Sequence, residues 1–180
     1  YLGTLSDGHN QWLTAHSAVV IENWVQDGLA ADKLLSPIIP RAIDHDGLAD
    51  REVYVSYLPG AQLLVFPAAK LFPSANIFLL LQVTGLLMQL GVALVIFRTV
   101  AALSSLRQVQ VVNGFAALAA AVYIFLPAPF YWHAMVYFAD QAVILPFALA
   151  LYLELRYRQT QSPFYALGLA AALCATIAMD

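Results

Sequence analysis

From Ser74 to Met179 the chain is a near-continuous series of apolar runs, and this constrains its fold more than any other feature. A helix needs about 20 apolar residues to cross a bilayer's hydrocarbon, and four segments are candidates. The first, Ser74 to Phe97, is interrupted only by Asn76, Gln82, Thr84 and Gln89 and ends at Arg98. The second runs from Val111 to about Tyr131, with Pro127 and Pro129 near its far end, where prolines end or bend a helix. The third, from about Asp140 to Leu155, is short and carries Pro146 near its start. The fourth, Phe164 to Met179, is rich in Ala and Gly, a composition that allows close helix packing in lipid. Apolar content of 62% and charged content of 11%, with a mean hydropathy of +0.74, lie far from a soluble domain, whose apolar fraction is about one half. The expected fold class is an all-α integral membrane protein, a polytopic helical bundle with spans at about 74–98, 111–131, 140–157 and 163–179.

The first third has a different character. It holds Asp7, Glu22, Asp27, Asp32, Asp44, Asp46, Asp50 and Glu52, and three of the four histidines. A net charge of -3 offers no basic surface for nucleic acid, and no Lys/Arg cluster suggests an anionic-lipid tether. The single cysteine, Cys174, has no intrachain disulfide partner. The chain opens on Tyr1, shows no signal peptide and closes directly after an apolar run, so it reads as a fragment of a longer chain. A preceding helix would anchor the polar region and further helices would follow Asp180.

Charge sets the expected orientation. Arg98 and Arg107 bracket the first connection, and Arg156 and Arg158 sit in the third. Positive residues favour the cytoplasm. Residues 1–72 and the turn from His133 to Asp140 then share the periplasmic or external face of what is expected to be a bacterial inner membrane. Two pieces distant in sequence are thereby brought to one surface.

Within the polar region, His9 to Asp27 reads as one helix with Ser6 or Asp7 as N-cap and Gly28 as its stop. His9, His16 and Asn23 recur every seventh residue, while Trp12, Leu13, Val19, Val20 and Trp24 supply apolar contact. The two tryptophans suit the headgroup interface. Residues 29–56 lack helical or strand periodicity and read as a loop; Asp44-His45-Asp46 within it resembles a metal site only superficially. The segment 54–72 is apolar but broken by Pro59 and Pro67. Were it to cross the membrane, the polar region and Asp140 would lie on opposite sides; a shallow interfacial helix at about 58–72 satisfies the charge rule better. The first external loop would then hold two juxtamembrane helices, at about 9–28 and 58–72.

Asp140 stands between two apolar runs in PAPFYWHAMVYFADQAVILPF, and an acid at membrane depth or edge is by default a functional-site candidate. The order of features, SDGHNQWLTAH, then YVSYLPG, then a long apolar helix ending in Arg, then P-x-P-F-Y…Y-F-A-D leading into another helix, resembles the N-terminal module of GT-C membrane glycosyltransferases. The nearest likeness is to the protein O-mannosyltransferase and aminoarabinose-transferase type. The resemblance implies sugar transfer from a polyprenyl-phosphate donor, with inversion, at the external membrane face. Asp7 matches the family's first-loop acid, although Gly8 stands where the family often has Glu. Asp140 matches the acid at the external start of a membrane helix. Tyr57-Leu58-Pro59-Gly60 occupies the place of a Tyr/His-Pro-Pro-Leu element and departs from it at Leu58 and Gly60.

Such chemistry needs a carboxylate to take the acceptor hydroxyl's proton and cationic or hydrogen-bonding groups to absorb charge on the departing phosphate. The resemblance makes Asp7 the first choice as base, with Asp140 orienting it, binding acceptor or holding a divalent metal if one is used; none is required by the sequence. For the phosphate, Arg51 leads, with Arg41 and Tyr57 behind it, and His9 and His133 as further donors. In plainer readings Asp7 and Asp140 only cap helices, Arg51 is a solvated loop cation and His133 an interfacial anchor. The expected partners are a lipid-linked sugar donor and membrane lipid; sugar and acceptor are not specified. Two other functions fit the sequence: a transporter or flippase subunit coupling an ion or proton through Asp140, and a noncatalytic membrane scaffold.

Overall fold

A computed structural model describes residues 11–29, 36–37, 53–54, 59–106, 112–134, 137 and 142–179. Its helices are α1 (Gln11–Asp27), α2 (Gly60–Leu71), α3 (Ile77–Leu106), α4 (Val112–Phe125), α5 (Pro127–Ala134), α6 (Ile144–Thr160) and α7 (Pro163–Met179). The fold is helical, with one departure from the all-α expectation. Strands β1 (Ser36–Pro37) and β2 (Val53–Tyr54) pair antiparallel, Ser36 with Tyr54 and Pro37 with Val53, inside the stretch read as loop. Two residues per strand is too short for a period-2 pattern to register in sequence.

Local chemistry fixes the helix ends. Gly28 adopts φ 85° and its N–H donates to the Trp24 carbonyl at 2.9 Å, the left-handed stop that glycine permits without strain. Asn76 caps α3 by accepting from the N–H groups of Phe78 and Leu79 at 2.9 and 3.2 Å. The α2 helix, at 12 residues, measures about 18 Å at 1.5 Å per residue and is too short to cross hydrocarbon. Pro67 does not break it, in keeping with the single helix expected at about 58–72. Pro67 lies on the outer face, whereas Ala61, Val65 and Ala69, spaced by one helical turn, form the buried stripe.

Prolines 127 and 129 bend the second apolar run instead of ending it. Helical bonds continue through the bend, from Leu126 N–H to the Val122 carbonyl at 2.9 Å and from Phe130 N–H to the Leu126 carbonyl at 3.1 Å. The amide of Gln89 on α3 donates to the Ile124 carbonyl at 3.0 Å, so a neighbouring helix supports the distorted turn. Pro146 is harmless for another reason. It occupies the first turn of α6, where backbone N–H groups have no intrahelical acceptor to lose.

The long helices run alternately up and down. Gln89 beside Ile124 sets α4 antiparallel to α3. Gly91 faces Leu145, and Gln159 donates to the Ala102 carbonyl at 3.4 Å, so α6 runs parallel to α3. The α6–α7 turn is made by Gln161 at φ 52°, and Gly168 then packs against Leu153. Arg98, Arg156 and Arg158 consequently share one end of the bundle, while α1, α2 and the end of α7 occupy the other.

Polarity is distributed inside-out on α3. Gln82 and Gln89 are buried, whereas Leu87 and Leu94, one face apart from them, are 62% and 57% exposed. Exposed Phe115, Leu118, Phe125, Phe164, Leu167 and Ile177 extend the apolar exterior across α4 and α7. Among the described residues one helix, Ile77–Leu103, is long and apolar enough to cross a membrane. The other three expected spans do not meet that measure alone: one is divided at Phe125, α6 carries Glu154, Arg156 and Arg158, and α7 has 17 residues.

Gly60 marks where the last turn of α7 meets the start of α2. A Cβ there would overlap the backbone carbonyl of Ala178, so only glycine lets α7 end against the start of α2. Gly60→Leu is expected to lower stability by about 1–3 kcal/mol through overpacking, measured by thermal unfolding in detergent. Gly28→Ala, which meets nothing within 4 Å, is expected to cost only the backbone strain of its positive φ.

Candidate functional site

The end of the bundle opposite the arginines is built around Tyr137. This residue is 3% exposed. Its backbone N–H donates to the Thr14 hydroxyl on α1 at 3.0 Å, and its phenol donates to the Ala61 carbonyl on α2 at 2.6 Å. Burial pushes the phenol's pKa up, so the group stays neutral and remains a donor. Tyr137 and Ala142 both belong to one apolar cluster with Ala18 and Ile21 of α1, Ala61, Val65 and Ala69 of α2, and Ile77, Leu81 and Met88 of α3. Three segments distant in sequence therefore converge on one side chain.

The two tryptophans of α1 have unlike roles. Trp24 is fully buried and meets Phe66 edge-to-face, with centroids 6.1 Å apart at 89°. Lys70 lies 5.8 Å from the same Phe66 ring, which continues the stack to the outer end of α2. Trp12, grouped with Trp24 in the sequence as an apolar contact suited to the headgroup interface, is 61% exposed. Twelve residues at 100° each place the two rings about a third of a turn apart, so one helix face cannot bury both.

His16 is half-buried on α1, and desolvation lowers its pKa below 6.5. Asn23, seven residues on, is buried. Asp7, His9, Arg51, Tyr57 and Asp140 lie outside the described residues, as do Arg41 and the Asp44-His45-Asp46 run. His133 falls in the backbone of α5, with its side chain undescribed. The structure brings together flanking elements: α1 begins four residues after Asp7, α2 three residues after Tyr57, and Tyr137 and Ala142 bracket Asp140. Val143, with no side-chain cap bond, precedes the first residue of α6.

Sequence reasoning passed over Thr14 and Tyr137. Both lay in view, Tyr137 inside Y-F-A-D and Thr14 on the face of α1 that carries Ser17, Ala18 and Ile21. Nothing in a sequence pairs a threonine with a tyrosine 123 positions away. Among the described residues no group of three or more His, Cys, Asp or Glu side chains is arranged to hold a metal. No family model, curated protein or solved structure matches the chain.

Tyr137→Phe is expected to cost about 1 kcal/mol by deleting one buried hydrogen bond, and Thr14→Val a similar amount; combined loss smaller than the sum of the two would show that they act as one clamp. For His16 the sign follows from burial. The unfolded ring takes a proton more readily than the folded one, so stability is full above pH 6.5 and falls as pH drops through the lowered folded value. Unfolding midpoints recorded across that range should slope for the wild type and flatten for His16→Gln.

Proposed function

We propose that this protein is a polytopic membrane glycosyltransferase that moves a sugar from a polyprenyl-phosphate donor to an acceptor hydroxyl at the external membrane face, with inversion. The observation that carries this reading is the clamp of Tyr137 onto Thr14 and Ala61. It ties the segment leading to Asp140 to the helices that follow Asp7 and Tyr57, at the end of the bundle remote from Arg98, Arg156 and Arg158. That arrangement is what a site shared by the first external loop and the acid of the next external turn requires.

The residues then divide the chemistry. The Asp7 carboxylate takes the proton of the acceptor hydroxyl as its oxygen attacks the anomeric carbon. The bond from that carbon to the phosphate oxygen breaks on the opposite side, and configuration inverts. Arg51, Tyr57, His9 and His133 donate to the departing phosphate and absorb its charge. Asp140 orients the base or the acceptor, and with Asp7 supplies the oxygen ligands for a divalent metal if one takes part. Membrane placement is supported by α3, whose exposed face is leucine and whose buried face carries glutamines, the reverse of a helix in water. The shorter helices α4–α5, α6 and α7 flank it in alternating directions and complete a bundle in which each crosses beside a partner.

Asp7→Asn and Asp140→Asn are expected to lower transfer from a lipid-linked sugar by about 100-fold or more while membrane insertion and expression persist. Retained activity in both variants would remove the catalytic assignment. Orientation is tested by thiol labelling after exposed Cys174 is replaced by Ser: Asp46→Cys should react with an impermeant reagent added outside, and Ser105→Cys should not.

A further inference from the structure

A cleft of about 390 Å³ opens between the C-terminal half of α1 and the elbow joining α2 to α3. About half of its lining is apolar, with Ile21 and Val25 from α1, Phe72 from the elbow and Ile77 from the first turn of α3. Two polar side chains, Glu22 and Gln26, lie one turn apart on α1 and line the same space. Both are exposed, and neither engages a described partner. Glu22 is the one charged group in the lining. A volume of this size matches a ligand-sized site, and a carboxylate beside an amide oxygen selects for a cation bearing N–H donors.

The position of the cleft identifies the source of that cation. Ile77 is where the apolar helix Ile77–Leu103 begins, so the cleft opens where headgroups meet hydrocarbon. We propose that it binds an aminophospholipid, with the primary ammonium against Glu22 and Gln26 and the glycerol and first acyl carbons against Val25, Phe72 and Ile77. A soluble amine would have no use for those apolar walls. Lipid held there would wedge α1 against the elbow and hold the juxtamembrane helices at a fixed height beside α3. The inference rests on the proposed membrane placement of α3 and is independent of sugar transfer.

The test uses the purified protein in phosphatidylcholine nanodiscs containing a photoactivatable phosphatidylethanolamine or, separately, a phosphatidylglycerol of the same chains. A protein that failed to enter nanodiscs would defeat the membrane reading; the outcomes below concern the cleft alone. Peptides covering Ile21–Gln26 and Phe72–Ile77 should be labelled about tenfold more by the ethanolamine probe, the difference a partly desolvated charge pair confers. Glu22→Gln, an exposed isosteric change, should abolish that preference without altering labelling by phosphatidylglycerol or the unfolding midpoint. Ala75→Phe, which fills the cleft from the elbow, should reduce ethanolamine-probe labelling in the same peptides. Equal labelling by the two probes, a preference that survives Glu22→Gln, or displacement by free ethanolamine would each overturn the proposal.

Discussion

The buried phenol of Tyr137 is the contact on which the end of the bundle remote from the arginines depends. A hydroxyl removed from water must find an acceptor or cost free energy, and the Ala61 carbonyl at 2.6 Å is that acceptor. With its backbone N–H committed to Thr14, Tyr137 is tied to α1 and α2 at once. Ala142, buried in the same cluster, holds the other side of the turn. Whatever chemistry the intervening residues perform, the segment that carries them is anchored at both edges.

Around that anchor α3 turns its glutamines inward and Leu87, Leu90 and Leu94 outward. On α3 the glutamines occupy helix seams, and one of them, Gln89, donates to the carbonyl beside the proline bend between α4 and α5. In water such an arrangement would waste the hydrophobic effect. In hydrocarbon it is the economical solution, because no solvent is present to satisfy an amide and every polar group must be served from within. Glycines serve the same close approach. Gly60 admits the end of α7, Gly91 admits Leu145 and Gly168 admits Leu153, so the helices meet at small residues in place of interdigitated large ones.

Gly60 shows how a distant element decides which residue a position can hold. The position is filled by backbone from the last turn of α7, so a leucine has no room there. Glu22 and Gln26 illustrate a similar point. On a helical wheel they are an ordinary solvated pair. Only the elbow after α2 turns them into one wall of a cleft.

The sequence by itself determined that the chain is helical and that α1 stops at Gly28, whereas α3 runs past Arg98 to Leu106, beyond the end its charge had marked. Apolar runs and Gly28 act within a few residues or through composition, and such local preferences do not wait for tertiary contacts. It determined equally that α3 has the length and hydropathy to cross a bilayer. It left undecided whether Pro67, Pro127 and Pro146 end, bend or spare their helices, because that depends on which face or turn each occupies and on whether a neighbour such as Gln89 supports the distorted turn. The positions of Asp7, Arg51, Tyr57 and Asp140 lie outside the described residues, so the candidate catalytic groups remain legible only in sequence. Tertiary structure alone decided that Trp24 is core and Trp12 surface, that Thr14 finds Tyr137, and that the last turn of α7 closes on Gly60. Each joins residues far apart along the chain, and a pairing of that kind exists only once the helices have packed.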